Sequence, residues 1–189
     1  LKAADIGVAM GKRGTDVARE ASDIVLIDDQ FPAMVNAIAW GRRVYDNLKK
    51  ASSFVLSMHV PIAGLSLIPV LLHWPSIFFP VHIVFMELII DPVCSLMFES
   101  EPPENDVMQR PPRLADARLF TLPLLLRSLV QGSVMLIASL AVYSIAVFFF
   151  LHDAQDARTL SFVTLVVLTL ILIMSDRRTH QAWWRQLGN

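Results

Sequence analysis

Four apolar stretches dominate the chain, at residues 51–72, 78–98, 124–150 and 159–175. Each is close to the roughly 20 residues that a helix needs to cross a bilayer. With 54% hydrophobic and only 17% charged residues the chain is too apolar for an ordinary soluble domain, and the lipid bilayer is its implied solvent. A formal net charge of -1 offers no basic field for nucleic acid, and the one basic patch, Arg42 to Lys50, is short. The single cysteine, Cys94, excludes an intramolecular disulfide, and no Cys/His spacing matches a structural zinc site. The first residues, Leu1 to Asp5, carry neither an initiator Met nor a signal pattern, so the chain reads as a fragment of something longer.

Charge gathers in residues 1–50 and gives way to apolar sequence after Lys49-Lys50. Within that first part, Asp5 to Gly11 and Ser22 to Asp29 read as short buried parallel strands. Thr15 to Ala21, with Thr15 as N-cap, supplies a helical turn or two between them, an α/β unit. Phe31 to Lys50 reads as a longer helix that enters the first span without a breaker. The segment before that span, the loop carrying Arg110, Arg113 and Arg118, and the tail carrying Arg177, Arg178 and Arg185 are basic, whereas the opposite loops hold only Arg158. That asymmetry predicts that both termini are cytoplasmic. Trp74, Phe78, Phe79, Phe148 to Phe150, Trp183 and Trp184 suit the two membrane interfaces.

Glu87 and Asp91 stand four residues apart in the second span, hence on one helical face at membrane depth. Two carboxylates in a low-dielectric medium cost several kcal/mol, roughly, unless protonated or matched by a cation, so the pair points to an ion or proton pathway. Pro92 lacks an N–H and pushes away the carbonyl of Leu88, which leaves an oxygen beside the acids of the kind a hard cation takes. Pro61 repeats the device in the first span at Ser57, next to His59, and two broken helices at one depth suggest a midplane site. Ser52, His59 and Ser66 share roughly one face of that helix. His59 is a candidate ligand, although a lone histidine in a helix is more often a packing residue; Cys94 is more simply a small buried residue than a metal ligand. Arg127 and Gln131 read as interfacial or helix-contact residues, and His73, His82, His152 and His180 as loop or interface residues. No nucleophile, base and orienting-acid set and no phosphate-cradling glycine loop is present.

Taken in order, these segments resemble the P-type ATPases, and among them the cation pumps that include calcium pumps. Leu1 to Gly11 is similar to the stretch that follows the family's Mg-binding GDGxNDxPA motif, and Ala18 to Asp29 to the helix and strand that complete the phosphorylation domain. Gly41 to Lys50 resembles the stalk into the fifth membrane helix, Glu87 to Asp91 the ion-ligand segment of the sixth, and Met108 to Arg113 the loop after it. Residues 120–189 resemble the family only in pattern.

The resemblance implies a mainly α fold, a polytopic transmembrane helix bundle with a partial α/β, HAD-like cytoplasmic segment at the N-terminus. Residues 1–30 would be the end of the phosphorylation domain, 31–50 a stalk helix, and 51–189 the transmembrane domain. It also implies a complete protein that uses ATP and Mg2+, phosphorylates itself on an aspartate and moves Ca2+ or another small cation. Glu87 and Asp91 would be the cation ligands with His59 beside them, Pro61 and Pro92 the helix breaks, and the plasma or inner membrane the setting. The nucleophile, TGE and Mg-binding motifs precede Leu1 in the family order, so the fragment alone is expected not to hydrolyse ATP. It would depend on the missing N-terminal parts of the same pump. Ile62 stands where calcium pumps carry a fifth-helix glutamate, and the last span offers Thr164 and Thr169 but no acid. Fewer carboxylates argue against a two-calcium site and leave one divalent ion, a monovalent ion or protons. The competing reading is a non-enzymatic four-span membrane protein or regulatory fragment.

Overall fold

The computed structural model describes residues 1–104, 106–113, 119–149 and 153–177, without the side chains of Asp91, Ser95 and Arg177. Arg118, Phe150, His152, Arg178, His180, Trp183, Trp184 and Arg185, read above as loop, interface and tail residues, lie outside the described residues. The chain divides into two compact units, one of residues 1–45 with 103–111, the other of residues 46–102 with 112–189.

In the first unit, strand β1 (Val8–Met10) pairs in parallel with strand β2 (Ile24–Leu26), Val8 opposite Ile24 and Met10 opposite Leu26. Helix α1 (Asp16–Glu20) makes the crossover, and the Thr15 hydroxyl caps it by accepting from the Ala18 N–H at 3.2 Å. The turn after β2 is held by Asp29, whose φ of 57° lies in the left-handed region that aspartate tolerates. Its carboxylate accepts from the Lys12 N–H at 2.9 Å and the Arg13 N–H at 3.0 Å. The Lys12 amide, then the Arg13 amide and guanidinium, hold that carboxyl below its ordinary range against partial desolvation. The strands are less covered than expected of a buried sheet. Ala9 and Leu26 are buried, but Ile24 and Val25 are more than a third exposed. Two three-residue strands and one short helix cannot cover a sheet face, so this part of the chain shows two short strands and no complete α/β layer.

Helix α2 (Phe31–Leu71) begins in this unit. Arg42 reaches from it to the carbonyls of Val107 and Arg110, both at 2.8 Å, and clips the 103–111 segment to the helix. Arg110 in turn gathers the carboxylates of Glu104 and Asp106.

The second unit contains the rest of α2 together with α3 (Pro80–Glu99), α4 (Leu122–Phe148) and α5 (Ala154–Arg177). All four are long and apolar enough to cross a membrane. α2 ends in a paired cap. The Trp74 N–H bonds the Pro69 carbonyl at 2.8 Å and the His73 N–H bonds that of Val70 at 3.3 Å, with His73 left-handed at φ 55°. α5 starts ahead of its apolar stretch, where the Asp153 carboxylate takes the Ala154 N–H at 2.8 Å and the Asp153 carbonyl takes that of Ala157 at 3.1 Å. Contacts alternate end to end as in an up-and-down bundle. Asn47 donates to the Glu101 carbonyl and Ser53 meets Ser128 at one end, while Tyr143 donates to the Pro75 carbonyl and Arg158 to that of Ser76 at the other.

Polarity in this unit is reversed relative to a soluble bundle. Ser53, Ser57, Ser128, Ser139, Ser161 and Thr169 are buried, whereas Leu67, Val84, Leu88, Val130, Ile137, Val163 and Leu170 are exposed. Hydroxyls of Ser57, Ser66, Ser144, Thr164 and Thr169 bond the carbonyl four residues back in their own helix, which satisfies them without water. Small residues inside and aliphatics outside let helices pack closely in a solvent that gives no hydrophobic drive.

Candidate cation pathway in the spanning helices

Glu87 lies in α3 between buried Met86 and exposed Leu88 and is itself half-buried. No hydrogen bond or ion pair holds its carboxylate among the described residues. Asp91 follows one turn later in the same helix, and its side chain lies outside the described residues. α3 is the least covered of the four spans. Its buried side packs Phe98 on Phe54 at 5.7 Å between ring centres, and Phe85 and His82 lie near Phe162. Beside it an apolar cleft of about 50 Å³ runs against α5, lined among others by Phe85, Ile89, Val93, Phe162 and Leu170.

Pro92 and Pro61 do not end their helices. α3 continues through Pro92 and α2 through Pro61 and Pro69, so each proline takes out one hydrogen bond and not a stretch of helix. A single missing N–H leaves the flanking bonds to hold the turn. The carbonyl that Pro61 frees, at Ser57, packs against Gly132 of α4: a Cβ at Gly132 would stand 2.5 Å from that oxygen. His59 projects elsewhere. It is exposed, and its Nδ1 stands 2.8 Å from the Val55 carbonyl, which can only accept, so Nδ1 carries a proton. Ile62 and Cys94 are buried in the apolar core of the bundle. Thr169 is buried and donates to the Leu165 carbonyl and lies 3.1 Å from the Met58 sulfur, whereas Thr164 is half-buried. Among the described residues no three His, Cys, Asp or Glu side chains converge as a metal centre.

The charged and polar groups that do converge are ones the sequence reading placed at helix contacts or passed over. Asp176 of α5, 3% exposed, accepts from Arg127 at 2.9 Å and from Gln131 at 3.3 Å, both of α4. The Gln131 side-chain oxygen accepts from Ser57 of α2 at 3.3 Å, and Ser53 and Ser128 share a bond of 2.9 Å. One signal was available. Ser128, Gly132, Met135, Ser139 and Tyr143 recur at helical spacing on α4, a mostly small-residue stripe that marks a close helix contact, and Arg127 and Gln131 flank its start.

Four apolar helices with their hydroxyls turned inward and an acid within a span define an integral membrane protein. The sequence family described as "Cation transporting ATPase, C-terminus" matches residues 75–188. The chain is 36% identical over 184 residues to calcium-transporting ATPase 2 of Schizosaccharomyces pombe, covering 94% of this chain and 14% of that protein. It is 34% identical over 177 residues to a calcium-transporting ATPase of Bacillus subtilis, with 94% and 20% covered. It is 33% identical over 199 aligned residues to plasma membrane calcium-transporting ATPase 4 of Bos taurus, with 95% and 16% covered. The chain therefore belongs to the P-type cation-transporting ATPases and is the membrane part of such a pump from its carboxyl-terminal region. It spans a fifth or less of the length of these relatives.

Proposed function

We propose that this chain forms the ion-pathway part of an ATP-driven calcium pump, in which Glu87 and Asp91 of α3 coordinate the transported ion. The observation that carries the reading is the half-buried Glu87 carboxylate, unheld by any described partner, in a membrane-spanning helix one turn from a second acid. An acid in that setting needs a cation or a proton to offset its desolvation. Ca2+ prefers six to eight oxygens, so the two carboxylates and the Leu88 carbonyl that Pro92 deprives of its donor would supply only part of the sphere. The remaining ligands would come from parts of the pump outside this chain. The names of the relatives, all calcium-transporting ATPases, support calcium as the cargo.

In this reading residues 1–30 complete a HAD-like phosphorylation domain, whose exposed Ile24 and Val25 would be covered by upstream sequence. Residues 31–50 form the stalk by which phosphorylation acts on the spans, and 51–189 the membrane domain. ATP and Mg2+ would act in the complete pump on an upstream aspartate, with both termini of this chain cytoplasmic and the plasma or inner membrane as host. The test is calcium-dependent phosphorylation of the complete pump by ATP in wild type, Glu87→Gln and Asp91→Asn. Each neutral variant is expected to raise the calcium concentration for half-maximal phosphorylation at least tenfold. Wild-type dependence in both would remove these acids from the site.

A further inference from the structure

We infer that Asp176 is a positioning residue for cation binding: from the end of α5, through Gln131 of α4, it fixes the register of α2 at Ser57, the residue whose carbonyl Pro61 frees. The inference rests on the pump reading above. The chain of contacts is continuous. Asp176 Oδ1 accepts from Arg127 Nη2 at 2.9 Å and Gln131 Nε2 at 3.3 Å, which orients the Gln131 amide. With its nitrogen committed to Asp176, Gln131 presents its oxygen to the Ser57 hydroxyl at 3.3 Å. The one Ser57 O–H is shared between that oxygen and the Ser53 carbonyl at 2.9 Å, and Ser53 closes back on α4 through Ser128 at 2.9 Å. Ser57, Ser128 and Asp176 are each at most 3% exposed, so the two ends of this chain are shielded from water, with Gln131 half-buried between them.

The geometry has two consequences. An amide group is directional, and Gln131 would meet the Ser57 hydroxyl with its NH2 group if the acceptor on α5 were lost. The backbone of Ser57 lies directly against Gly132, next in sequence to Gln131, so rotation or retreat of the Gln131 side chain acts on the turn of α2 that Pro61 has already deprived of a hydrogen bond. That turn also carries His59 and leads to buried Ile62. The polar chain therefore joins three spans at a turn of α2 that lacks one of its own hydrogen bonds.

The experiment titrates calcium-dependent phosphorylation by ATP in the complete pump for wild type, Asp176→Ala, Asp176→Glu, Ser57→Ala and the Asp176→Ala/Ser57→Ala pair. Asp176→Ala, which removes the acceptor, and Ser57→Ala are each expected to raise the calcium midpoint about two- to thirtyfold, the span of couplings carried by packed polar networks. The pair is expected to shift it no more than the larger single change, because both cut one chain. Asp176→Glu, which keeps the charge, is expected to recover most of the shift. An unchanged midpoint with less folded pump overturns the inference and leaves an ordinary structural ion pair, and shifts that multiply in the pair overturn it as well. If Asp176→Ala does not accumulate, Gln131→Ala cuts the chain at its centre and decides the outcome by the same readout. A wild-type pump whose phosphorylation ignores calcium overturns the pump reading and this inference together, whereas calcium-dependent wild type with unshifted variants overturns this inference alone.

Discussion

Replacing Gly132 by alanine tests how closely α2 and α4 approach. The new Cβ would lie 2.5 Å from the Ser57 carbonyl oxygen and 2.6 Å from Val60 Cβ, while ordinary contact begins at 3.4 Å. Neither partner can swing aside, since one is backbone and the other the branch point of a β-branched side chain. The helices must separate by nearly an ångström, which strains the Ser53–Ser128 bond and thins the packing around Val60. Overpacking of this kind costs about 1–3 kcal/mol. Alanine also favours the helix over glycine by about 1 kcal/mol, which would mask part of the loss. Gly41 supplies the control, because it lies in the same α2 helix with nothing within 4 Å of its would-be Cβ, so Gly41→Ala shows the helix gain alone. Gly64→Ala should fall between, since the obstacle there is the mobile end of Leu136. Thermal inactivation of the complete pump in detergent would rank the three, with Gly132→Ala about 1–3 kcal/mol below Gly41→Ala. Equal midpoints for Gly132→Ala and Gly41→Ala would refute the close approach and the reasoning built on it.

Two further outcomes follow from other parts of the chain. Asp29 has its carboxyl held below the ordinary range in the folded state, so its contribution is present above the unfolded value of about 3.9 and is lost as pH falls through the lower folded value. Proteolysis around the 27–30 turn should therefore rise in wild type only below about pH 4, and Asp29→Asn should be nicked faster already at neutral pH; equal rates at neutral pH would discount the amide contacts. Arg158 donates to the Ser76 carbonyl at 3.1 Å and lies over the Phe79 ring at 4.4 Å. Arg158→Ala should remove roughly 1 kcal/mol and speed amide exchange between His73 and Phe79, and unchanged exchange would show that the loop is held without it.

Much of the membrane architecture was legible because hydrocarbon imposes a one-dimensional rule: a span must be long, apolar and internally hydrogen-bonded, and each requirement is written along the chain. Thr15 as a cap and the parallel pairing of the two strands were legible for the same reason, being settled within a few residues. The strands' burial was not, since covering Ile24 and Val25 depends on what packs over them and two short strands do not cover themselves. The prolines show the limit most clearly. Their missing N–H groups can be counted in the sequence, but whether the turn opens depends on the neighbouring bonds, and here α2 and α3 run on through Pro61 and Pro92.

What the sequence determined by itself was the solvent of this protein, the number of its long apolar helices and the pair of acids one turn apart in α3. What only the tertiary structure decided was which polar groups meet. Asp176, Arg127, Gln131 and Ser57 come from three helices, and Ser57 and Asp176 are far apart in the chain, with nothing local to tie them. Helical periodicity states which residues share a face of one helix; which face meets which is set by the close fit of side chains and by small residues such as Gly132, and that fit exists only once the helices have packed.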